Sequence, residues 1–215
     1  SFVKDSLLAR GISSEKISVV PLGKFKTEVA SIKKTGSPWQ QRKEGLHILF
    51  AGSVVLRKGI PYLLEALRKL EGQIPFVCKV AGTIEIKPEK LDSYSDVCQF
   101  LGRVPRSDMA TLYQWADVFV LPSICEGSAM VTYEALKHGL PVITTDHAGS
   151  IISNYEELRK WIVPIRDSAA LQDALLRFYG STLDEEIASL LQNCLVQSQQ
   201  TALETFKQAV TYPIS

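Results

Sequence analysis

Short, nearly continuous apolar runs alternate along this chain with segments whose apolar residues recur every three or four positions. The runs cover 17–21, 47–51, 76–81, 97–101, 118–122, 142–145 and 161–164. They are rich in β-branched residues and lack polar alternation, which predicts strands covered on both faces, as in a parallel sheet. The helical-period segments between them cover 60–69, 106–114, 129–138 and 169–179, with weaker ones near 88–91 and 151–158. This β-α-β alternation predicts a doubly wound, Rossmann-like α/β domain built on a parallel sheet. Such sheets bind ligands beyond the carboxyl ends of their strands, near the point where strand order reverses. Chemistry is therefore expected in the loops 52–59, 82–86, 102–105, 123–128 and 146–150.

In the first of these loops a strand meets a helix N-terminus, where free N–H groups and the helix dipole concentrate positive potential. Gly52 allows close backbone approach, Ser53 adds a hydroxyl, and Arg57 and Lys58 add two cations. Those cations read either as anion contacts or as solvated residues of a turn. The segment Leu121-Pro-Ser-Ile-Cys-Glu-Gly-Ser-Ala-Met-Val-Thr-Tyr-Glu134 then sets two carboxylates, Glu126 and Glu134, eight positions apart around a strand-to-helix turn. A helix starting near residue 127 or 128 would carry Glu134 about two turns along it and leave Glu126 at its mouth. Glu126 reads as a helix-capping carboxylate or as a ligand group. Glu134 reads as a solvent-facing helix residue or as an acceptor set in an otherwise apolar turn with Met130, Val131, Ala135 and Leu136. Two acceptor-only groups beside a helix N-terminus suit an elongated ligand with hydroxyls at both ends and negative charge between them, as in a nucleotide sugar. Asp146 and His147 form a sequence pair with no serine or cysteine placed as nucleophile, which argues against a hydrolase.

Composition narrows the classes further. A chain of 215 residues with 46% hydrophobic residues can bury one substantial core. A net charge of +1 and the lack of a basic stripe argue against a nucleic-acid partner. Lys33-Lys34 and Arg42-Lys43, around Gly36-Ser-Pro-Trp39, read as a solvated linker. The cysteines at 78, 98, 125 and 194 form no Cys-x-x-Cys pair and no cluster with histidine, so no metal is expected. No signal peptide opens the chain and no apolar run reaches the ~20 residues that span a bilayer. A cytoplasmic location is the default, and membrane association stays open. The chain opens on Ser1-Phe-Val-Lys-Asp without an initiator Met, so it reads as cut from a longer protein.

The pattern Glu126-Gly127 to Glu134, with Gly139-Leu-Pro-Val-Ile143 downstream, resembles the E-x7-E motif of the family-4 retaining glycosyltransferases of the GT-B fold. Lys16-Ile-Ser-Val-Val-Pro-Leu-Gly23 resembles the passage from that family's first domain into its second. Phe50-Ala-Gly-Ser-Val-Val-Leu-Arg-Lys-Gly59 resembles its phosphate-binding strand and loop. Phe100-Leu-Gly-Arg-Val104 and Trp115-Ala-Asp-Val-Phe-Val-Leu-Pro-Ser123 resemble its next two strands. The similarity runs in the family's order from about residue 5 to about residue 178. It implies the second half of a GT-B fold, with 1–45 leading in from an acceptor domain outside the chain, 46–180 binding the donor, and 181–215 forming a helical tail. It also implies sugar transfer from a nucleotide sugar, as substrate, to an acceptor hydroxyl with retention of configuration, without cofactor or metal.

Residue by residue, the resemblance sets Lys58 on the donor diphosphate and Glu126 on the donor sugar, the two positions taken as catalytic. Gly52 and Ser53 would line the diphosphate, although most members carry a second phosphate-binding Arg where this chain has Ser53; outside the family's pattern, Arg57 could reach the same charge from the other end of the loop. Glu134 would accept the ribose hydroxyls, and Gly127, Ser128 and Ala129 would offer amides beside Glu126. Ser128 and Ala129 stand where members usually carry an aromatic residue and Gly. Arg103 and Val104 would present main-chain groups to the base, and Gly149 would lie near the phosphates or the sugar. The same resemblance leaves two alternatives, a non-catalytic nucleotide-sugar-binding module and a GT-B sugar-nucleotide epimerase.

Overall fold

The computed structural model describes residues 2–17, 19, 38–181 and 193. After a short helix, α1 (Phe2–Leu8), the elements run β1 (Leu46–Ala51), α2 (Ile60–Leu70), β2 (Phe76–Ala81), β3 (Gln99–Gly102), α3 (Arg106–Trp115) and β4 (Val118–Leu121). They continue as α4 (Met130–Lys137), β5 (Val142–Thr145), β6 (Ile162–Val163) and α5 (Ser168–Gly180). Among the described residues the strands form one sheet in the order β3-β2-β1-β4-β5-β6, with every neighbouring pair parallel. Order reverses between β1 and β4, where Ile48 stands opposite both Cys78 and Val118. The loops after β1 and β4 therefore flank the switch point.

The central strands are continuous apolar runs because both of their faces are covered. All four residues of β4 and all four of β5 are buried, as are all of β1 except His47. α2 buries Ile60, Leu63, Leu64, Leu67 and Leu70, the spacing of one helical stripe, and packs beside α5. Pro61 sits in its first turn, where a missing N–H breaks no helical bond. α5 is capped by Asp167, whose carboxylate accepts the Ala170 N–H at 2.8 Å.

Three expectations need correction. The run 97–101 pairs only from Gln99 to Gly102, and Val97 and Cys98 are buried ahead of the strand. The weak helix near 151–158 consists of two 3-10 turns, Ile151–Asn154 and Glu156–Trp161, which also shorten the last strand to Ile162–Val163. The solvated linker does not extend over Trp39 and Arg42. Trp39 is fully buried, stacks on Phe178 at 5.0 Å, and donates its indole N–H to the Tyr179 carbonyl at 2.9 Å. Gln40 donates to the same carbonyl at 2.7 Å, so this segment satisfies an end of α5 that has no partner within the helix. Arg42 pairs with the buried carboxylate of Asp117, which also accepts the His47 N–H at 2.9 Å. The expected strand at 17–21 and the helical tail lie outside the described residues, apart from Ile17, Val19, Ser181 and Asn193.

Candidate functional site

Three loops beyond the carboxyl ends of β1, β4 and β5 are stitched together by their backbones. The Ile124 N–H donates to the Arg57 carbonyl at 2.8 Å, and the Glu126 N–H donates to the His147 carbonyl at 2.9 Å. Beneath them the Thr145 hydroxyl donates to the Ser123 carbonyl at 2.5 Å. Two glycines make this approach possible. Gly59 has φ 72°, and a Cβ there would lie 1.8 Å from the Pro122 carbonyl oxygen. Gly149 has φ 61°, and its Cβ would lie 2.6 Å from the Gly127 carbonyl oxygen. Neither contact tolerates a side chain, and both backbones occupy a region that favours glycine. α1 lies against the same cluster, since a Cβ on Gly127 would meet the Val3 side chain at 3.8 Å.

This stitching gathers the charged residues read from the sequence. The Glu126 carboxylate forms an ion pair with the Lys58 ammonium and another with Arg57 at 2.9 Å. Ser123 donates its hydroxyl to the same carboxylate at 3.4 Å. Glu126 and Lys58 are only 11% and 13% exposed, whereas Arg57 is 57% exposed, so the lysine pair is far less screened by water. Arg57 is also held to the β4 loop by a 2.9 Å bond to the Cys125 carbonyl. Glu126 is therefore not the helix cap. The residue at that position is Ala129, which makes no side-chain cap, and the carboxylate turns toward the cations after β1. Ser53 and Gly52 are half-buried in the same β1 loop. The Ala129 N–H donates to the Ala148 carbonyl at 3.1 Å, so it is spent within the protein and is not available to a sugar.

Glu134 sits just past the first turn of α4, because the helix begins at Met130 and not near residue 127. Thr132, Tyr133, Ala135 and Leu136 around it are buried, while the Glu134 side chain remains 34% exposed at the edge of the apolar face. Tyr113 of α3 donates its hydroxyl to Glu134 Oε2 at 3.1 Å, and Arg106 approaches Oε1 at 3.8 Å. Burial, then the charge of Glu134 and the bond to it, push the Tyr113 phenol far above its ordinary range. It remains a protonated donor. His138 stacks on the Tyr113 ring at 5.1 Å, and burial with the neighbouring Lys137 charge lowers its pKa despite Glu134. Sequence reading missed Tyr113, whose place in α3 marks it only as a core residue.

The remaining candidates are more dispersed. Arg103 and Val104 follow β3 at the outer end of the sheet, and β2 separates that strand from β1. Their loop is tied in through the Gly82 N–H, which donates to the Gly102 carbonyl at 2.8 Å. Gly149 joins the ion cluster through the contact already described. Asp146 and His147 are 3.8 Å apart and both partly exposed. Among the described residues no group of three or more His, Cys, Asp or Glu is placed to hold a metal ion.

The sequence pattern of the family described as "Glycosyl transferases group 1" matches residues 45–181, more than half of the chain. The chain belongs to this family. The putative colanic acid biosynthesis glycosyltransferase WcaL of Salmonella typhimurium is 28% identical over 221 residues, an overlap of 94% of this chain and 50% of that protein. The chain spans about half the length of the curated relatives it matches. A glycosyltransferase from Rickettsia africae superimposes with a TM-score of 0.77 at 21% identity, over 99% of this chain and 62% of that one. The C-terminal domain of a glycosyl transferase group 1 family protein, LpcC, from Francisella tularensis superimposes with a TM-score of 0.56 at 17% identity, over 88% of this chain and 100% of that one. The group 1 resemblance and the doubly wound α/β fold of GT-B glycosyltransferases, both read from the sequence, therefore hold.

Proposed function

We propose that this group 1 glycosyltransferase chain is a C-terminal, donor-binding half, and that it takes part in moving a sugar from a nucleotide sugar to an acceptor hydroxyl with retention of configuration. The observation that carries this reading is the ion cluster of Lys58, Arg57 and Glu126 at the point where strand order reverses. Lys58 and Arg57 would stabilise the diphosphate as it departs, a role for fixed cations held in a water-poor site. Arg57 supplies the second cation that Ser53 does not, which favours a working transferase over a decayed binding module. Once the phosphates take the cations, the Glu126 carboxylate is free to accept hydrogen bonds from the donor sugar. Glu134 accepts the ribose hydroxyls, and main-chain groups near Arg103 and Val104 meet the base. The acceptor hydroxyl attacks the anomeric carbon from the side on which the diphosphate leaves. Its proton passes to a leaving phosphate oxygen, so no enzyme nucleophile is required.

The acceptor partner would be held by an N-terminal domain outside this chain. The half-length match to curated relatives and the full coverage of the Francisella domain support that division. The reaction would take place in the cytoplasm. No described helix is long and apolar enough to cross a membrane, and a membrane-bound acceptor remains compatible with this half.

Calorimetric titration of the chain with UDP, GDP and ADP tests the donor site. Binding of one nucleotide, lost in Lys58→Ala and weakened in Glu134→Ala, is the expected result. A folded chain that binds none of the three overturns the donor reading, and steady sugar transfer by the 215-residue chain alone overturns the division into halves.

A further inference from the structure

We propose that Tyr113 is a positioning residue that orients the Glu134 carboxylate toward a vicinal diol and so sets the preference for a ribonucleotide over its dideoxy counterpart. The inference rests on the assignment of Glu134 to the donor ribose. The Tyr113 ring is 3% exposed and lies between two neighbours, Phe119 of β4 at 6.1 Å and the near-parallel ring of His138 at 5.1 Å and 14°. These contacts restrict the ring and set its hydroxyl where it meets Glu134 Oε2 at 3.1 Å. Glu134 itself is on a helix edge and 34% exposed, so an untethered carboxylate would sample several rotamers.

The chemistry of the tether matters as much as its position. A carboxylate offers about four lone-pair directions, and a single phenol occupies one of them. With the side chain 34% exposed, the others are open to the two hydroxyls of a diol. A cation at the same place would take more of those directions and neutralise the charge that the diol's hydroxyls seek. Arg106, 95% exposed and 3.8 Å from Oε1, is a loose surface partner that a ligand displaces at little cost. Because the phenol is held protonated by burial and by Glu134, its donation persists across the working pH range.

Tyr113→Phe keeps the ring and both ring contacts and removes only the donor. The test compares the affinity of the unaltered chain, Tyr113→Phe and Glu134→Ala for a ribonucleoside diphosphate and for its 2′,3′-dideoxy analogue by calorimetry, with a thermal melt for each variant. Tyr113→Phe is expected to reduce the ribose preference by about 3- to 10-fold, the order of one ordinary hydrogen bond lost from the positioning of the carboxylate, with dideoxy affinity unchanged. Glu134→Ala should abolish the preference. If Glu134→Ala abolishes it and Tyr113→Phe leaves it intact, the role of Tyr113 is overturned and that of Glu134 stands. Equal weakening of both nucleotides by Tyr113→Phe marks a purely structural residue and also overturns the proposal. A preference that survives Glu134→Ala overturns the ribose assignment itself, and absence of binding by the unaltered chain overturns both.

Discussion

Lys58 and Arg57, the cations proposed for the donor diphosphate, both pair with the Glu126 carboxylate. On the proposed reading, nucleotide binding competes with this internal anion in a partly desolvated setting. Glu126→Gln is expected to tighten binding of a nucleoside diphosphate by about 10-fold, on the order of one charge-assisted hydrogen bond, while transfer by the complete enzyme is lost. Calorimetry beside an activity assay reads the two effects, and unchanged or weaker binding would count against the competition. His138 adds a pH dependence at the same scale. Its pKa is lowered from 6.5 in the folded chain, first by burial, so the unfolded chain binds its proton more readily. Stability from this residue is present above about pH 6.5 and is lost as pH falls through the lowered folded value. Melting temperatures between pH 7.5 and 5 should drop, and His138→Phe, which preserves a ring on Tyr113, should flatten that drop.

At the scale of elements, the site exists because the loops after the neighbouring strands β1, β4 and β5 touch through their backbones. Gly59 is where α2 begins and where the chain meets the end of β4. Gly59→Ala faces a left-handed backbone penalty of about 1–2 kcal/mol per residue, and its Cβ also collides with the Pro122 carbonyl. A loss of about 2–4 kcal/mol in urea unfolding is expected, at the upper end of ordinary single substitutions. A loss below about 1 kcal/mol would mean that the two loops separate easily. The elements themselves were largely legible. α2 was expected over 60–69 and runs Ile60–Leu70, because its apolar stripe, its Pro in the first turn and its glycine start are all local signals. The 3-10 turns after β5 were not, since short turns lack a full period to detect.

For the whole molecule, the family match starts at residue 45, yet the packed body starts earlier. Trp39 and Gln40 close the end of α5, and Arg42 neutralises Asp117 below the sheet. A chain of residues 46–181 loses a buried Trp, worth about 3–5 kcal/mol in comparable truncations, and leaves a buried carboxylate without its cation. It is expected to melt about 10 °C below a chain of residues 38–181. Equal midpoints would show that the segment is a passive attachment.

Local pattern determined the class of this protein. Apolar runs and helical stripes are properties of neighbouring residues, so the parallel sheet and the loops at its carboxyl edge could be read directly, and the spacing of Glu126 and Glu134 carried the family. Partnerships across the fold were decided only in three dimensions. The Glu126 carboxylate could have capped α4, but the approach of the β1 and β4 loops gave it two cations instead. Trp39 is 140 positions from the Tyr179 carbonyl it bonds, and Tyr113 is 21 positions from Glu134. No periodicity records such pairs, because a contact made by chain crossover depends on strand order and register, which the sequence expresses only when the whole core has packed.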